Sequence, residues 1–152
     1  AGYDAYHQYP IYHRSWISTN FLTRRYEFIR NLVSESQMMP GQLKIDVVVF
    51  VKDNISNVIA SDARSLIIEL AKYFLPLADN LTFDPALDDS SGLTAERLNY
   101  FLTAFLKSPQ IDADPEAEWT NRWMNLEEIE VVINQLQNLF NAMMQSPEYQ
   151  LY

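Results

Sequence analysis

At 152 residues, 48% of them hydrophobic and 13% aromatic, the chain is long enough for one domain with its own core and too apolar to be disordered as a whole. Eleven basic against twenty acidic side chains give a net charge of −9, which argues against nucleic acid and against electrostatic docking on anionic lipid. There is no Cys, so disulfides, zinc–thiolate sites and thiol nucleophiles are excluded, and no apolar run approaches the roughly 20 residues of a membrane span.

Residues 1–18 read as an extended aromatic arm. Tyr3, Tyr6, Tyr9 and Tyr12 recur at every third residue, Trp16 follows, and Pro10 breaks any helix. A period of three sets the tyrosines on one face of a polyproline-like strand. These five aromatics are candidate binding residues for a sugar or a peptide. The competing and preferred expectation is an arm whose rings lie flat on the protein body, because aromatic surface is costly to leave in water. His7 and His13, with only Asp4 nearby, do not make a metal site.

From residue 19 to residue 152 the pattern predicts an all-α domain, an irregular bundle of about five helices. Thr19 or Asn20 caps the first, which runs to about Glu35 with Phe21, Leu22, Tyr26, Ile29, Leu32 and Val33 as its apolar face. Arg24 and Arg25 on it could clamp a carboxylate or phosphate, or lie on a solvated face. Val47-Val-Val-Phe-Val51 has strand propensity, yet Asp46 is a good N-cap and no second strand exists to pair with it. A short helix over Val47 to Asn54 is therefore expected. A third helix, capped by Ser61 or Asp62, reaches about Phe74, and a fourth starts at Thr94 and stops at Ser108-Pro109.

The last helix is the most apolar. Leu126, Ile129, Ile133, Leu136, Phe140 and Met143 form its stripe, widened by Val132, Leu139 and Met144. Asn125 with Glu128 suggests a capping box, and Ser146-Pro147 a stop. Phe101-Leu-Thr-Ala-Phe-Leu-Lys-Ser-Pro109 echoes Leu139-Phe-Asn-Ala-Met-Met-Gln-Ser-Pro147, which suggests sister helices that pack together. The tail after Pro147 should be tied down through Tyr149 and Leu151.

Two acidic stretches invite chemistry. Asp84, Asp88 and Asp89 lack the spacing of a calcium-binding EF-hand loop. Asp112 to Glu118 reads as a second loop, leading to Trp119 and Trp123 on one helical face. Both tryptophans are candidate binding residues. Asp114, Glu116 or Glu118 beside them would suit a glycan-acting hydrolase with two carboxylates flanking the scissile bond. The preferred expectation is a solvated turn ahead of two anchoring tryptophans. Asn54 and Asn80 head Asn-x-Ser/Thr sequons. No catalytic constellation, metal site or cofactor is assigned.

Two stretches resemble one family. Ala1-Gly-Tyr-Asp-Ala-Tyr-His-Gln-Tyr-Pro-Ile-Tyr12, then Trp16-Ile17, Leu22 and Arg25, is similar to a segment of the bacterial "domain of unknown function 1800" family, with Tyr3 where the family has Trp. Arg97-Leu-Asn-Tyr-Phe101, Trp119 and Ser146-Pro-Glu-Tyr-Gln150 resemble that family's C-terminal end. The resemblance implies the C-terminal piece of a longer bacterial protein that is secreted, periplasmic or on the cell surface. It carries no catalytic residues. The function expected is structural or partner-binding, the partner being the rest of the parent chain or another exported protein.

Overall fold

The apolar stripes converge on a single helix near the C-terminus. A computed structural model of the chain describes residues 19–33, 44–76, 78–88, 92–125 and 128–150, and among these there are helices and loops but no strand. In chain order the helices are α1 (Thr19–Val33), α2 (Val47–Asn54), α3 (Asn57–Ser61), α4 (Ala63–Phe74), α5 (Ala95–Phe105), α6 (Pro115–Asn125), α7 (Ile129–Met144) and α8 (Pro147–Gln150). Helix α7 packs against α1, α2, α4, α5, α6 and α8, and its closest partner is α5. The sister helices suggested by the Ser-Pro echo are thus packing neighbours.

Helix starts follow local chemistry. Asp46 Oδ1 accepts from the amides of Val48 and Val49, both at 3.1 Å, and Val47 and Val51 turn inward, so 47–51 is helix despite its β-branched composition. Asp62 Oδ2 accepts from Ser65 N at 2.8 Å, and Thr94 Oγ1 from Arg97 N at 3.3 Å. The all-α class holds, with eight helices among the described residues where about five were expected. Helices α3 and α8 are too short to show a period. Helix α6 begins inside the stretch read as an acidic loop. Pro115 sits in its first position and Asp114 Oδ1 accepts from Ala117 N at 3.2 Å, so Glu116 and Glu118 belong to its first turn.

Three expectations need correction. Asn125 does not cap α7, because it is the last residue of α6. Glu128 stands at the N-cap instead, with φ of 51° and no side-chain cap bond. The buried face of α7 is Val132, Gln135, Leu136, Leu139, Phe140, Met143 and Met144, while Ile129 lies at the exposed edge. On α1 only Ile29 and Val33 are buried, and Phe21 points outward with Phe28. The chief helical neighbour of α1 is α7, and one neighbour covers a narrower stripe than the sequence offers. The aromatic arm, Leu126 and Leu151 lie outside the described residues.

The core is continuous. Phe140 meets Phe50 and Phe74 edge-on, with centroids 5.6 and 5.2 Å away, and Phe50 stacks on Phe74 at 5.8 Å. Truncating Phe140 removes one ring from this triad and leaves a cavity. In urea unfolding, Phe140→Ala should lower stability by about 3–5 kcal/mol, whereas Asp46→Ala should lower it by about 1 kcal/mol.

Candidate functional site

The acid-and-tryptophan constellation is built as a joint between helices. Trp119 is fully buried and donates from Nε1 to Ala60 O at 3.0 Å. Its ring meets Phe105 at 4.5 Å and stacks on Trp123 at 5.5 Å. Trp123 is 3% exposed and donates to Asn57 Oδ1 at 2.7 Å. Both indoles therefore fasten α6 to α3; Trp119 is wholly enclosed, and Trp123 shows only its rim to a groove of about 350 Å³ shared with Lys52, Ile55, Asn57 and Met124.

The carboxylates face arginines. Glu116 takes a bidentate fork from Arg64 on α4, with Nη2–Oε1 at 2.8 Å and Nε–Oε2 at 2.9 Å. Asp114 caps α6. Asp112, just upstream, is gripped through both oxygens by Arg122, at 2.9 and 3.0 Å, and Arg122 Nε also reaches Glu128 at 2.9 Å. Arg97 on α5 grips Glu148 in the C-terminal turn at 2.9 and 3.0 Å while lying over the rings of Tyr100 and Phe101. Sequence reasoning did not pick out Arg64 or Arg122, and it quoted Arg97 only within a family resemblance, without its partner. Their partners lie 52, 51 and 6 to 10 residues away, so at most the Arg122 set had a local signal.

Among the described residues no group of three His, Cys, Asp or Glu is placed to hold a metal ion. Asp84 and Asp88 accept from the amides of Ala86 and Ala95, each at 2.9 Å, and so order the loop before α5; Asp89 lies outside the described residues.

The outward surface of α1 is different in kind. Phe21, Arg24, Arg25 and Phe28 fall at steps of three and four and share a face. Phe21 is 57% and Phe28 64% exposed. With Ile29, Leu32, Met144, Tyr149 and Gln150 they line a groove of about 360 Å³ between α1 and α8. Arg25 Nη2 donates to the carbonyl of Gln150 at 3.2 Å, which fixes the floor, and Arg24 stays exposed. Tyr149 packs on the core, so the tail is anchored as expected through this residue. Helix α1 carries three arginines against one glutamate on a chain of net charge −9. The five arm aromatics Tyr3, Tyr6, Tyr9, Tyr12 and Trp16 lie outside the described residues. A second groove, of about 550 Å³, runs between the start of α2 and the exposed edge of α7 at Ile129 and Ile133. It is mainly aliphatic and brings together none of the candidate residues.

In comparisons with known proteins, no family model, no curated protein and no solved structure matches the chain.

The clamps have a pH signature. Hydrogen bonds from Arg122 hold the Asp112 carboxyl below its ordinary value, against the opposing effect of burial. At Glu148 burial pushes upward, but the hydrogen bond from Arg97, a backbone amide and the positive charge of Arg97 together hold the carboxyl below its ordinary value. A carboxylate with a depressed folded-state pKa adds stability above its unfolded value, about 4, and loses it as the pH falls through the folded value. Thermal melts should therefore show a midpoint that drops as the pH falls below about 4. An Asp112→Asn, Glu148→Gln double variant should be less stable at pH 7 and show a shallower acid limb.

Proposed function

We propose that this chain is a non-catalytic helical domain with a structural, partner-binding role, the C-terminal part of an exported bacterial protein. The observation that carries this reading is the α1 face. Phe21 and Phe28, two large rings, stand largely exposed around Arg24 and Arg25, whereas Trp119, Trp123, Asp112, Asp114 and Glu116 hold or cap helices. Exposed apolar rings beside arginine are the side chains that anchor protein interfaces. The partner is the rest of the parent chain or another exported protein.

The alternative, a glycan-acting hydrolase, needs two carboxylates on an open cleft beside an aromatic platform. Asp114 and Glu116 here serve a helix cap and an arginine fork, and Trp119 and Trp123 are buried, which favours the binding role. Export follows from the family resemblance and belongs to the same proposal.

The test uses the immobilised full chain and the exported protein fraction of its source. The wild type should retain a discrete partner. A Phe21→Ser, Phe28→Ser variant should retain at least about tenfold less, as expected for losing two interface anchors, with an unchanged helical circular dichroism spectrum. Equal retention by the variant would count against the reading.

A further inference from the structure

The groove between α1 and α8 combines an apolar floor with two arginines on one rim. We propose that it takes an acidic amphipathic helix of a partner protein. Apolar side chains of that helix lie over Phe28, Ile29, Leu32 and Met144, and its carboxylates pair with Arg24 and Arg25. This inference rests on reading the α1 face as an interaction surface and names the chemistry of what it binds.

The first support is spacing. Arg25, Phe28 and Leu32 stand at steps of three and four along α1, the spacing on which a second helix packs. Helix α1 has 15 residues and so is about 22 Å long, enough to lie along a partner helix of about four turns. Phe28 is 64% exposed, while Ile29 and Met144 are buried beneath the groove. The occupant needs nothing from Phe21, which is already engaged within the chain.

The second is that both walls are fixed before anything binds. Arg25 Nη2 ties α1 to the carbonyl of Gln150 on α8 at 3.2 Å. The Arg97–Glu148 fork holds α8 to α5, and Gln150 Nε2 donates to Met144 O at 2.7 Å. A preformed seat lowers the ordering cost of binding.

The third is charge complementarity. Arg24 is exposed and makes no hydrogen bond or ion pair among the described residues. Arg25 commits Nη2 to Gln150, and a guanidinium has further donors for a carboxylate. On a chain of net charge −9, an acidic helix is drawn to this face and repelled elsewhere, which fixes where it docks. A second copy docking through its own α1 would bring arginine against arginine. An anionic bilayer would meet the repulsion of the whole acidic chain, and a flat surface does not enter a groove walled by α8.

The test uses the full chain and two fluorescently labelled 15-residue peptides, matched in length to α1. Both carry leucines at steps of three and four with alanine behind, and the flanking positions are glutamate in one and lysine in the other. In low-salt anisotropy titrations the glutamate peptide should bind at least about tenfold more tightly, although the net charge alone favours the lysine peptide. Arg24→Glu should weaken the glutamate peptide about fivefold or more, with an unchanged helical circular dichroism spectrum. Failure of the glutamate peptide to bind, equal or tighter binding of the lysine peptide, or undiminished binding by Arg24→Glu would each overturn the inference. So would sedimentation of the chain with phosphatidylglycerol vesicles, or self-association, if Arg24→Glu abolished it while the glutamate peptide stayed unbound. If the glutamate peptide fails while Phe21→Ser, Phe28→Ser still loses the external partner, only the partner's chemistry is wrong. Equal partner retention by that variant instead removes the interaction surface itself.

Discussion

Arg122 is 5% exposed on α6, and a guanidinium that deep must find its acceptors inside the protein. It finds Asp112 in the loop before α6 and Glu128 in the connection after it. One side chain thus fixes how α6 is entered and how α7 begins. Glu128 has a left-handed backbone, which costs an ordinary residue about 1–2 kcal/mol, and its bond to Arg122 is the visible compensation. Helix α7 packs on six of the other helices, so the placement of its first turn propagates through the fold. Arg64–Glu116 and Arg97–Glu148 repeat the device at shallower depth, joining α4 to α6 and α5 to α8. Arg64–Glu116 is substantially exposed and adds correspondingly less.

These forks separate two readings of an acidic protein. A carboxylate beside a tryptophan suggests glycan chemistry while the residues are seen only in a line. In three dimensions the indoles turn inward and fasten α3 to α6, Asp112 and Glu116 turn to arginines, and Asp114 turns to a helix amide. What α1 presents to solvent is the opposite combination, arginine with exposed phenylalanine. Binding rather than bond cleavage is the role this distribution of side chains supports.

Much of the fold was legible because its determinants are local. Asp46, Asp62 and Thr94 announce helix starts within three residues, and the cap at Asp46 outweighs five β-branched or aromatic neighbours at 47–51. The Ser146-Pro147 stop and the existence of a long apolar helix at α7 follow from spacing alone. Helix α6 was missed at its start because Asp114-Pro115 resembles a turn as much as a cap followed by a first-position proline. The inversion of Phe21 and the rotation of the α7 stripe had no local signal, because which side of a helix is covered depends on its neighbours. Trp119 and Trp123 were legible as anchors, but their acceptors, Ala60 O and Asn57, lie 59 and 66 residues away. The same distance hid the arginine forks, and with them the structural role of the acids.

The central claim is that the acids of this domain hold it together through buried arginine. A double-mutant cycle on Arg122 and Asp112 tests it most directly, using Arg122→Met, Asp112→Asn and the double variant in urea unfolding at pH 7. The account predicts that each single variant loses about 3 kcal/mol or more, because a buried charged partner is left behind. The double variant should lose less than the sum, with a coupling of about 1–3 kcal/mol. Strictly additive losses would contradict it.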